Sequence, residues 1–157
     1  MLQVFDSWAG ELSPTDFRIY SLPYLKRIAS EVKTRLGRNR QVPMTVFAKG
    51  AHYALEELAT LDYDVIGLDW TMDPVLARQR VGPNVVLQGN LDPGVLYGTE
   101  DVIRQKTRDM VKAFGGGKGK WVANLGHGIQ PEVDPEALRV FLDEIHKASS
   151  AANEFEN

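Results

Sequence analysis

His127 stands between two glycines in the stretch NLGHGIQP, residues 124–131. A histidine stripped of side-chain neighbours on both sides leaves room for a backbone or a bulky ligand to come close to the ring. An imidazole there is suited to relay a proton or to hydrogen-bond a carboxylate. The same glycines could equally serve an unusual turn. Five other polar residues follow apolar runs in the same way: Ser7 after LQVFD, Lys49 in FAKGAH, Asp69 in GLDWT, and Gln88 and Asn90 in LQGNLDPG. Each has a plainer reading. Ser7 fits a local cap and Lys49 a solvated loop. Asp69 fits a turn cap or a tie to a neighbouring loop. Asn90 to Gly94 fits a turn held by side-chain to backbone bonds. His52 and His146 fall on helical stretches without metal-ligand spacing to His127, so no metal site is expected. A Ser, a His and several Asp are present, but no G-x-S-x-G elbow, which discounts a serine hydrolase.

The elements that must carry these residues alternate. Strand-like runs cover 2–7, 43–48, 64–69, 84–89 and 120–126, several of them continuously apolar, as in parallel strands covered on both faces. Between them lie helical stripes: Leu25, Ile28, Ala29, Val32 and Leu36; then Ile103, Met110, Val111 and Phe114; then Leu138, Phe141, Leu142 and Ile145. Ser13-Pro14, Asp73-Pro74 and Asp134-Pro135 each pair a capping side chain with a proline at the first helical position. Pro23 separates a short first turn from a helix ending near Leu36. The run GGGKGK, 115–120, stops the fourth helix and is expected to form a loop at the end of the unit away from the strand tips. SSAANEFEN, 149–157, reads as a frayed tail beyond a domain covering 1–148.

The pattern predicts an α/β fold of five βα units with a parallel sheet. No GxGxxG or Walker motif follows a strand, which weakens a nucleotide-binding open sheet. A complete eight-unit barrel needs about 250 residues, so 157 residues would make a barrel portion. In either architecture chemistry gathers at the C-terminal ends of strands, where all the singled-out residues fall. The chain opens directly on a strand, which hints at residues upstream. Composition is ordinary for a globular domain: 43% hydrophobic, 25% charged, with a net charge of −3. That charge gives no support to nucleic-acid binding. There are no cysteines, which removes disulfides, thiol nucleophiles and Cys-based zinc sites, and a cytoplasmic setting is the simplest. No apolar run reaches the roughly 18 residues of a membrane helix, and no secretory signal opens the chain.

FDSWAG (5–10), MTVFAKGAHYALEELA (44–59), VIGLDWTMDPVLAR (65–78), LQGNLDPGVLY (87–97) and ANLGHGIQPEVDPEALRVFLDEIHK (123–147) together resemble the C-terminal part of the uroporphyrinogen decarboxylase family. The resemblance covers nearly the whole chain. It implies the C-terminal portion of a (β/α)8 TIM barrel from a cytoplasmic, homodimeric enzyme of haem and tetrapyrrole synthesis. That enzyme decarboxylates the four acetate side chains of uroporphyrinogen to give coproporphyrinogen, with no metal or organic cofactor. Ser7 matches the family's substrate-bonding serine and His127 the histidine that lies against substrate, giving His127 a catalytic and a substrate-binding role. The family's basic loop, the aspartate facing the pyrrole nitrogens and the substrate-binding tyrosine all precede the matched part. The resemblance therefore implies that the chain alone is inactive and that a missing N-terminal half is a partner. The alternative is a non-catalytic half-barrel that binds or assembles. The superfamily's methyltransferases use a His-Cys-Cys zinc site, which a cysteine-free chain cannot build.

Overall fold

The computed structural model describes residues 1–37 and 42–154, the side chains of 151–154 excepted. Five strands form one all-parallel sheet: β1 (Leu2–Asp6), β2 (Met44–Ala48), β3 (Val65–Gly67), β4 (Val86–Leu91) and β5 (Trp121–Leu125), in the order β1-β2-β3-β4-β5. Spatial order equals chain order, with β1 and β5 at the edges. Successive right-handed crossovers in one direction place the connecting helices on one face, while α6, after the last strand, also reaches the cavity of the other face. This is the arrangement of part of a (β/α)8 barrel and not of a doubly wound sheet, whose order reverses at its centre.

The register shows the division between the faces. Val4, Val46, Ile66, Leu87 and Trp121 align as one row across the sheet. The three central members are buried, and the row packs on helix residues such as Phe17, Leu25, Ala29, Ile103, Val111 and Phe141. The next row is Phe5, Phe47, Gly67, Gln88 and Val122. At its two ends Phe5 and Val122 are exposed, 65% and 37%. The second face is open at both edges.

The helices are α1 (Pro14–Tyr20), α2 (Leu22–Leu36), α3 (Leu55–Leu58), α4 (Pro74–Val81), α5 (Glu100–Ala113) and α6 (Pro135–Glu154). All three expected caps form. The Ser13 hydroxyl accepts from the Asp16 N–H, Asp73 from Leu76 and Asp134 from Glu136. Asp73→Ala should cost about 1 kcal/mol, the usual value of such a cap, read as a shift of the urea midpoint with an unchanged slope. Gly115, Gly116 and Gly117 all have positive φ, which ends α5 as expected and turns the chain back toward the start of β5. Between α5 and α6 the buried Glu144 accepts from Arg104 and Arg108, both at 2.9 Å.

Four expectations need correction. β3 is only Val65–Gly67, because the backbone leaves the ladder early to form the Asp69 turn. β4 runs on through Leu91: Asn90 pairs with Asn124 in the sheet, and the turn begins only at Asp92. Ile28 is 40% exposed, since the buried stripe of α2 is narrower than its apolar residues, and Leu142 is 48% exposed because it faces the open cavity. Finally, α6 continues through Glu154, across most of the segment read as a frayed tail. Ala148, Ala151, Ala152 and Glu154 are strong helix formers and extend it; residues 155–157 lie outside the described residues.

Candidate active site

The open face leads upward to a polar layer at the strand ends. Continuing the register by two residues beyond Phe5 and Phe47 reaches Ser7 and Lys49, and on β4 and β5 it reaches the paired Asn90 and Asn124. Below and beside this layer is a cavity of about 510 Å³. Phe5, Phe47, Gly67 and Gln88 of the open face line it, and α6 contributes Leu138, Phe141 and Leu142. Ser7 and His127 line the same cavity. They reach it from β1 and β5, the two opposite edges of the sheet.

His127 is exposed. Its ring is held edge-on between Phe47, at 6.1 Å between centroids, and Trp70, at 5.8 Å and perpendicular. Neither ring nitrogen has a hydrogen-bond partner among the described residues, so both are available to a ligand. Ser7 is likewise exposed and its hydroxyl is unpaired among the described residues. The two glycines beside His127 differ in role. A Cβ on Gly126 would lie 2.4 Å from the Trp70 nitrogen, while one on Gly128 would meet nothing within 4 Å. Gly126 is therefore demanded by the packing of the β5 loop on the β3 loop, not by ligand approach. Only Gly128 faces open space.

Asp69 is a structural anchor. It is 3% exposed. It accepts from the Gly50 N–H at 2.7 Å, the Thr71 N–H at 2.9 Å and the Thr71 hydroxyl at 2.6 Å. The Thr71 hydroxyl spends its one proton on Asp69, so the His52 Nε2 contact with it at 2.7 Å has the imidazole N–H as donor. Burial pushes the Asp69 carboxyl up. Hydrogen bonds from His52, Thr71 and Gly50 outweigh it and hold the group well below the usual carboxylate range. Asn90 is also committed, donating to the carbonyls of Asp69 and Met72 at 2.9 and 2.7 Å. Both residues tie the β3 loop in place and so position Trp70 and, through it, His127. Gln88 is buried, and its Oε1 has no donor among the described residues.

No group of three or more His, Cys, Asp or Glu side chains that could hold a metal converges among the described residues. The site presents an apolar floor, uncommitted polar groups that include Ser7 and His127, and no acid among the described residues that line it. It can bind and orient a large, mostly flat molecule and hydrogen-bond its polar arms.

The model of uroporphyrinogen decarboxylase (URO-D) matches residues 1–148. The chain belongs to the uroporphyrinogen decarboxylase family. It is 54% identical over 154 residues to uroporphyrinogen decarboxylase of Schizosaccharomyces pombe, covering 96% of this chain and 43% of that protein. With the human uroporphyrinogen decarboxylase it shares 49% identity over 150 residues, 94% of this chain and 40% of the other. The chain thus spans about two fifths of the length of these family members. A methyltransferase from Methanosarcina mazei has the same fold over 93% of this chain and 42% of its own, with a TM-score of 0.74 at 17% identity.

The sequence reading named Ser7 and His127. It missed Phe5, Phe47 and Trp70, which form the floor and the support of the histidine. Strand alternation from Ser7 and Lys49 back to Phe5 and Phe47 was the available signal.

Proposed function

We propose that this chain forms the substrate rim of a uroporphyrinogen decarboxylase, the carboxy-lyase that converts uroporphyrinogen III to coproporphyrinogen III by removing the carboxyls of four acetate arms. The enzyme works in the cytoplasm as a homodimer, without metal or organic cofactor. The observation that supports this most is the meeting of Ser7 and His127 at one cavity from the two edges of the sheet. Ser7 donates a hydrogen bond to a carboxylate arm. His127 bonds a second polar group of the substrate or passes a proton to the ring. The positive charge that develops on a protonated pyrrole needs a buried carboxylate beside it. Asp69 does not serve, because its oxygens are already taken. That carboxylate and the arginine clamps belong to the N-terminal half that the relatives carry and that completes the barrel.

The test is carboxyl loss from uroporphyrinogen under anaerobic conditions. This chain alone is compared with this chain plus the remaining segment of the fission-yeast relative, made separately. Activity in the mixture alone is expected. Activity in the chain alone would overturn the assignment of the carboxylate to the other half. Silence in a folded, associated mixture would favour a non-catalytic half-barrel. In the active mixture, His127→Gln should lower kcat/KM by about tenfold to a hundredfold. A change below twofold would remove His127 from the site.

A further inference from the structure

We propose that Lys49 is a further substrate-binding residue, whose ammonium is held at the cavity rim to receive a carboxylate arm of the tetrapyrrole; this rests on the functional reading above. Lys49 lies two residues beyond Phe47, a cavity-lining residue of β2, so strand alternation turns it to the open face. Its backbone is fixed on both sides. The Lys49 N–H donates to the Asp6 carbonyl at 3.1 Å, and the Lys49 carbonyl accepts from the Gly10 N–H at 2.8 Å. The residue is thereby locked between the loops that follow β1 and β2, next to Ser7. Its Nζ lies 5.6 Å from the centroid of the Trp70 ring, which in turn packs perpendicular to His127. Lysine, tryptophan and histidine thus form one continuous surface at the rim.

Lys49 differs from the paired basic residues of the chain, and it differs from other lysines without a carboxylate partner among the described residues, such as Lys26, Lys106 and Lys112, in lying against the Trp70 ring. Arg18, Lys33, Arg80 and Arg104 each meet a carboxylate within 2.5–2.9 Å. Lys49 meets none among the described residues. Asp69, in the loop that carries Trp70, is sealed behind its own donors, and the Asp6 carboxylate is engaged by the Ser21 hydroxyl. A half-buried ammonium kept on an aromatic face retains donors for an incoming anion. An octacarboxylate supplies anions, and no lysine or arginine is among the described residues that line the cavity itself.

Binding of uroporphyrin, the oxidised octacarboxylate, to this chain gives the test by fluorescence titration, with the tetracarboxylate coproporphyrin as a second probe. Lys49→Gln should weaken uroporphyrin binding about tenfold, as loss of one charge-assisted bond does. It should weaken coproporphyrin less and flatten the salt dependence. Lys49→Arg, which keeps the charge, should bind within about twofold of the parent. Equal binding by Lys49→Gln and the parent would overturn the role of Lys49 and leave the functional reading intact. Equal loss in both variants with a lowered Tm would make Lys49 structural and overturn its role as well. No binding of either porphyrin by the unsubstituted chain would overturn the functional reading itself, and Lys49 with it.

Discussion

Asp69→Ala is expected to lower the unfolding free energy by about 3–4 kcal/mol, the sum of several bonds to a buried charge left without an acceptor. The Gly50 and Thr71 N–H groups and the Thr71 hydroxyl all lose their partner at once. Urea titration reads the loss directly. Asp69→Asn separates charge from shape: one amide oxygen can accept, but the amide nitrogen faces donors, so most of the loss should persist. The same residue sets an acid limit. Its carboxyl is held below the ordinary value of 3.8. The stabilisation it supplies is therefore complete above that value and drains away as pH falls toward the folded pKa. The unsubstituted chain should lose stability below about pH 4 more steeply than Asp69→Asn. Parallel acid curves for the two would show that the carboxylate is not the anchor described above.

Gly126→Ala is the second large effect, about 3 kcal/mol. The new methyl would sit 2.4 Å from the Trp70 nitrogen and 2.8 Å from its Cα, and a backbone cannot swing aside as a side chain can. Either the β5 loop or the β3 loop must move, and His127 moves with it. Tetrapyrrole binding should fall together with stability. Gly128→Ala, two residues on, has open space and should stay within about 0.5 kcal/mol. The contrast between the two glycines is the check: equal effects would mean that the loops do not approach as closely as the structure has them.

Strand–helix alternation and the three Xaa-Pro caps were legible in the sequence, because each rests on local chemistry: apolar runs, cap geometry and proline placement. The order of the strands was not, since alternation alone fits both a doubly wound sheet and a barrel portion. The ends of β3 and β4 were not. They are decided by Asp69 and Asn90 bonding to groups in a neighbouring loop, and such long-range ties leave no local mark. Ile28 and Leu142 show the same limit from the other side. Hydrophobic period fixes a stripe but not its width, which depends on what covers it. At the site, His127 stood out by its flanking glycines and Ser7 through the family resemblance, yet the reason for Gly126 was hidden. A glycine required by a ligand and one required by the backbone of Trp70, far back in the chain, look the same in sequence. Trp70 was passed over as an aromatic after a strand, and only its contacts with Lys49 and His127 give it a role.

The sheet's strand order has a consequence for how the chain acquires its shape. Each strand pairs only with the one made just before it. During synthesis nothing has to wait for a later segment to fill a gap, as it would in a sheet whose first strand ends up in the middle. Growth is vectorial, one βα unit added to a single advancing edge, and each step closes a loop of modest length. Removing units from the growing end should shorten the sheet strand by strand and leave the earlier pairings standing.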